Sequence, residues 1–133
     1  RIDYQPVGDR YEIIDYKTGG SQQYASSTSI DFDSIGEIHK YIRSFQLPIY
    51  IHLFTNTSSI PLENTTARLI LLRNNTDEIF LNQKVQADKS SEYARYMTGV
   101  ATVVEDILNP ETPLTAFDLV TCSKCSFSSL CHV

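Results

Sequence analysis

From Tyr93 onward, Tyr96, Met97, Val100, Val103, Val104 and Ile107 return an apolar side chain every three or four residues. That spacing is the stripe of an amphipathic helix, and one apolar face obliges the rest of the chain to supply a surface for it to cover. Ser90 or Ser91 stands where an N-cap oxygen is needed, and Asn109-Pro110 ends the pattern. The covering surface is expected to be a sheet. Arg1 to Val7 and Tyr11 to Lys17 are short segments rich in Tyr, Ile and Val on either side of Gly8-Asp9, which predicts a β-hairpin. Ala67 to Arg73 and Glu78 to Val85 flank Asn74-Asn75-Thr76-Asp77, whose turn chemistry predicts a second one.

Between the hairpins, Thr18 to Ser29 is polar and holds Gly19-Gly20, as a mobile loop would. Ile35, Ile38, Ile42, Phe45, Ile49 and Leu53 then follow a helical period that Pro48 interrupts, so a kink or two short helices joined near Ser44 is expected. The order strand, strand, helix, strand, strand, helix predicts an α/β fold with a central mixed sheet flanked by helices. A tail from Glu111 to Val133 has no clear period and carries Cys122, Cys125 and Cys131.

Length and charge narrow the function. With 133 residues, 41% hydrophobic and 20% charged, the chain suits one domain with a real core. Its longest apolar run, Leu69 to Leu72, is far short of the roughly 20 residues that cross a bilayer, so no membrane partner is expected. A net charge of -5 argues against holding nucleic acid by bulk positive charge. The absence of a leader-like start and the crowding of the cysteines predict a cytoplasmic protein cut from something longer. The N-x-[ST] sequons at Asn56, Asn64 and Asn74 are read as chance in a chain so rich in Ser, Thr and Asn.

The first hairpin carries the chemistry. If Gly8-Asp9-Arg10 is a three-residue loop, Asp3 lies opposite Asp15 with Cβ atoms about 5 Å apart, and alternation puts Lys17 on the same face. Two carboxylates that close need a proton, a cation or a lysine between them. Such a cluster is what a divalent-metal hydrolase uses: oxygen ligands for Mg2+ or Mn2+, and an ammonium to position water or offset charge on a phosphate. The inference depends on register, because a slip of one residue sends the two aspartates to opposite faces. From spacing alone, an ordinary solvated hairpin face is the commoner outcome. His39, Arg43, Gln46 and Tyr50 stand four, three and four residues apart, one polar helical stripe that would meet a phosphate backbone or simply face solvent.

Together the segments Arg1-Ile2-Asp3, Ile13-Ile14-Asp15-Tyr16-Lys17-Thr18-Gly19 and Gln46-Leu47-Pro48-Ile49-Tyr50 resemble the motif series of RecB-type nucleases in the PD-(D/E)XK superfamily. The likeness covers nearly the whole chain and leans to the AddB-like branch. It implies a restriction-endonuclease-like core and a metal-dependent DNA exonuclease domain of a repair and recombination protein, working with a helicase domain or subunit. It implies Asp3 and Asp15 as metal ligands, the carbonyl of Tyr16 as a further ligand, and Lys17 as the catalytic lysine. Gln46 and Tyr50 would be the Q-x-x-x-Y pair that organises site and substrate, with Arg43 as a weaker substrate contact. By the same resemblance a single domain, residues 1–133, would lack an N-terminal helix that carries a further metal ligand and a first cluster cysteine. The C-x2-C-x5-C tail would then close a [4Fe-4S] cluster whose fourth ligand lies outside the chain. Thiolates in a short tail mark a metal site in any case, and Zn2+ with His132 as fourth ligand is the rival. Two other functions fit the same residues: a degenerate nuclease-like module that binds DNA or scaffolds a partner, and a zinc-bound interaction domain.

Overall fold

A computed structural model describes residues 1–18, 30–73, 76–81, 86–112 and 125–126. The elements follow the predicted order: β1 (Ile2–Gln5), β2 (Arg10–Lys17), α1 (Ile35–Tyr41), α2 (Gln46–Ser58), a 3-10 turn (Leu62–Asn64), β3 (Thr65–Leu71), β4 (Thr76–Phe80) and α3 (Gln86–Leu108). The sheet runs β1-β2-β3-β4, antiparallel at both edges and parallel between β2 and β3. It is the mixed α/β arrangement of a restriction-endonuclease-like core. The parallel pair follows from the intervening helices, because a parallel return needs a long crossover.

Along β3, Thr65, Ala67, Leu69 and Leu71 are fully or almost fully buried while Thr66, Arg68 and Ile70 are half-exposed. Alternation therefore assigns one face of the sheet to the helices. The register places Ile13 beside Ala67, Asp15 beside Leu69 and Lys17 beside Leu71, so the D-x-K pair lies on the helix-covered face. The other face carries a charged row in which Arg68 bridges Glu12 and Asp77.

The first hairpin departs from the expected register. Gln5 pairs with Arg10 and Asp3 with Glu12, so Pro6 to Asp9 form the turn and Asp3 is not opposite Asp15. Proline has no N–H to give the ladder, and Gly8 and Asp9 both take positive φ, +88° and +49°, which ends strand geometry. Val7, 90% exposed, sits on the turn rather than in a strand. The second hairpin is likewise shifted: β3 begins at Thr65 and Leu71 pairs with Thr76, so pairing starts and stops ahead of the predicted limits.

The predicted helical stripe divides into α1 and α2. Ser34 caps α1 by accepting the Glu37 N–H, and the chain leaves helical geometry at Ile42. Ser44 Oγ accepts the Gln46 N–H at 3.2 Å and starts α2 anew. Pro48 is not a kink. It lies in the first turn of α2, where an N–H has no partner within the helix and proline costs little. Restarting the helix changes its phase, so Leu47, Pro48 and Ile51 are buried while Ile49 and Leu53, expected in the apolar stripe, are exposed. The His39–Arg43–Gln46–Tyr50 stripe is divided too. His39 is exposed on α1 and Arg43 on the linker, whereas Gln46 and Tyr50 share α2.

Helix α3 begins at Gln86, so Ser90 and Ser91 lie inside it. Lys89, 5% exposed, donates to the Glu63 carbonyl at 3.0 Å and ties this first turn to the 3-10 turn. Farther along, Tyr96 enters the core and Gly99 lets the helix come close; a Cβ at Gly99 would lie 2.5 Å from Phe32 Cδ1. The helix face is covered as far as Val103, and Val104 and Ile107 are exposed. Among the described residues no helix is long and apolar enough to cross a membrane.

Burial lowers the pKa of Lys89 below its ordinary 10.5, Arg10 adds to the effect and Glu63 opposes it. The unfolded chain holds this proton to higher pH than the folded one, so stability rises as pH climbs through the lowered value towards 10.5. Urea melts at neutral and alkaline pH should show that rise in the wild type relative to Lys89→Met, where it is absent. Equal pH dependence in the two proteins would mean that the ammonium is not desolvated.

Candidate active site

Strand β2 and helix α2 position the site. Asp15 and Lys17, two residues apart on one face, bring Lys17 Nζ to 2.9 Å from Asp15 Oδ2. Both side chains keep limited exposure, 22% for Asp15 and 27% for Lys17. The ammonium is within ion-pair range but lacks hydrogen-bond alignment, so the buried Oδ2 has no hydrogen-bond partner. A carboxylate oxygen held in this way is costly unless another group uses it. Gln46 Oε1 is buried without a partner as well. Two expected site residues thus each hold an unsatisfied acceptor.

A cleft of about 630 Å³ opens between the β1–β2 end of the sheet and α2. Asp15 lines it from the strand, and Tyr50, Leu53, Phe54 and Thr57 line it from the helix. The spacing i, i+3, i+4, i+7 makes those four one ridge of α2. Gln46 stands one turn before Tyr50, so the Q-x-x-x-Y spacing runs along the helix that walls the cleft. Asp15 and Tyr50 meet at this cleft although 35 positions separate them in the sequence.

Asp3 is the residue that the structure removes from this arrangement. Opposed to Glu12, it projects to the face away from Asp15. Its Oδ1 accepts from Arg1 Nε at 2.6 Å, and that hydrogen bond, with the carboxylate's charge, raises the Arg1 pKa. Tyr16 is placed differently. The ladder joins Ile14 N–H and C=O to Arg1, and strand alternation directs the Tyr16 backbone groups to the same edge, beyond that pair.

Among the described residues no three His, Cys, Asp or Glu side chains converge on a metal site. Asp15 Oδ2 is nevertheless a hard oxygen donor that accepts no hydrogen bond, the chemistry that Mg2+ or Mn2+ selects. Mg2+ commonly takes only one or two protein carboxylates and completes its shell with water and substrate phosphate, so one carboxylate fits this class of ion. Of the cysteine tail, Cys125 is exposed. Cys122, Cys131 and His132 lie outside the described residues.

The mixed sheet thus carries the D-x-K pair on its helix-covered face, beside a cleft walled by α2. The model of the PD-(D/E)XK nuclease superfamily matches residues 1–132, and the chain belongs to that family. No curated protein and no solved structure matches it. The sequence did not announce the contribution of Leu53, Phe54 and Thr57, because their place on the cleft depends on the helical phase set at Ser44.

Proposed function

We propose that the chain is a Mg2+- or Mn2+-dependent deoxyribonuclease of the RecB type, AddB-like in its Q-L-P-I-Y helix, from a DNA repair and recombination protein that works with a helicase. The observation that carries this reading is the buried Asp15 Oδ2, which accepts no hydrogen bond and is ion-paired to the Lys17 ammonium, on a residue that lines the cleft. Asp15 Oδ2 and the Tyr16 carbonyl would hold the divalent ion. Asp3, as folded, does not reach them. A bound ion of this kind supplies Lewis-acid polarisation of the phosphate and a more acidic water.

The remaining chemistry belongs to the chain's own side chains. Lys17, held within 2.9 Å of Asp15, places positive charge where charge develops on the phosphate oxygens. The Gln46 amide and Tyr50 hydroxyl supply neutral donors that orient a phosphodiester without reading its sequence. Arg43, exposed on the linker before α2, adds a cation for the backbone farther out. In the tail, Cys122, Cys125 and Cys131 would hold a [4Fe-4S] cluster together with a fourth ligand from outside the chain, and iron without zinc in freshly purified protein is the result that favours it over Zn2+.

The reading is tested by incubating the chain with end-labelled linear DNA and Mn2+, beside Asp15→Ala and an EDTA control. Cleavage that needs the ion and disappears in Asp15→Ala is expected, together with a saturable Mn2+ isotherm by calorimetry that the variant loses. The lack of a three-ligand group among the described residues favours a second reading, a degenerate module that binds DNA without cutting it. DNA binding with neither cleavage nor Mn2+ binding would replace the first reading with the second.

A further inference from the structure

Strand β1 is held on β2 by a pairing that works partly against itself. Asp3 and Glu12 stand directly opposite each other, and like charges so placed repel. Arg1 and Arg68 each offset one of them, at 2.6 and 2.9 Å. Burial does little to fix the register. β1 is four residues long at the edge of the described sheet, and its apolar side chains Ile2 and Tyr4 are 53% and 52% exposed.

A slip of one residue offers a second register. Pairing Pro6 with Arg10 shortens the turn to residues 7–9, a three-residue loop of the kind that closes on a left-handed residue. Asp9 already has φ +49°, and Gly8 is free to change its conformation. Asp3 would then stand opposite Ile13, with its carboxylate on the Asp15 side of the sheet and the two Cβ atoms about 7–8 Å apart on the diagonal. The slip ends the Asp3–Glu12 opposition and gives up the Tyr4–Tyr11 ring contact, 4.8 Å between centroids. Two carboxylates on one side repel unless a cation lies between them, so a divalent ion binds the slipped register more tightly than the other. We propose that β1 is a two-register switch: the Asp3–Glu12 pairing withholds Asp3 from the cleft, and divalent-ion binding at Asp15 selects the slipped pairing that presents it. This rests on the divalent-ion reading above and adds its regulation.

Two cysteine pairs that share Tyr11→Cys read the register directly. Tyr4→Cys with Tyr11→Cys closes across the observed pairing. Gln5→Cys with Tyr11→Cys closes only across the slipped one, because residues 5 and 11 now lie on opposite faces. In a thiol–disulfide buffer, with the bridges mapped by mass spectrometry, Mn2+ is expected to speed closure of the Gln5→Cys pair and slow that of the Tyr4→Cys pair, each about fivefold. Because both pairs carry Tyr11→Cys, any loss of its packing cancels between them. Calorimetry gives the second readout: Asp3→Asn should weaken Mn2+ binding about tenfold in the wild-type background and change nothing once the Tyr4→Cys/Tyr11→Cys bridge has closed. Closure rates that ignore Mn2+, or an Asp3→Asn effect that survives the bridge, overturn the switch. If either is found while the wild type binds Mn2+, the switch fails and the divalent-ion reading stands; if the wild type binds no Mn2+, both fail.

Discussion

Replacing Lys17 with methionine is expected to lower Mn2+-dependent DNA cleavage by about 10²- to 10³-fold, the usual loss when one preorganised donor to developing charge is removed. Lys17 lies at the end of β2 with its side chain 27% exposed, and methionine keeps the length of its stem, so the fold should persist. What distinguishes this variant from Asp15→Ala is its behaviour towards the ion. The Lys17 ammonium competes for Asp15 Oδ2 at 2.9 Å, so removing it should leave Mn2+ binding intact or tighter while cleavage falls. Asp15→Ala should lose both. Calorimetry and an end-labelled DNA assay on the same preparations separate the two roles, and retained cleavage in Lys17→Met would remove the lysine from the chemistry.

The second large effect lies in the core. Tyr96, 1% exposed, contacts the rings of Phe32 at 5.0 Å, Phe80 at 4.8 Å and Phe45 at 6.2 Å, so α3, β4 and the segments flanking α1 meet on one side chain. Truncating it to alanine removes all three ring contacts and leaves a cavity that the surrounding aromatic residues cannot fill. The cost should be about 3–5 kcal/mol, a large share of the 5–15 kcal/mol that holds a domain together. Thermal melts should show the midpoint lowered by about 10–20 °C. Tyr96→Phe keeps the packing and should lose much less. A loss below about 1 kcal/mol in the alanine variant would mean that Tyr96 is not the junction of these elements.

Particular residues show how far the sequence could be read. The face shared by Asp15 and Lys17 was legible because two residues along a strand always return to one side, whatever the rest of the chain does. The burial of Tyr96 was legible for the same kind of reason, since a helical period belongs to the segment that carries it. Asp3 was not legible in the same way. Its place depended on whether the turn used Gly8 to Arg10 or Pro6 to Asp9, and that choice shifts the register by an odd number of residues and sends its carboxylate through the sheet. Helix α2 posed a similar difficulty: an apolar period continued through a chain that leaves helical geometry at Ile42 and restarts at Gln46, and the restart decided that Leu53 and Phe54 would line the cleft.

By itself the sequence determined the strand and helix order, the mixed sheet and the D-x-K and Q-x-x-x-Y pairs, because each follows from spacing within a short segment. Tertiary structure alone decided which of those pairs meet. Asp15 and Tyr50 come to one cleft because β2 and β3 run parallel and the crossover lays α2 over them. Asp3 leaves that cleft because strand pairing is a relation between two segments, and its register is settled by the turn and by what each face must bury.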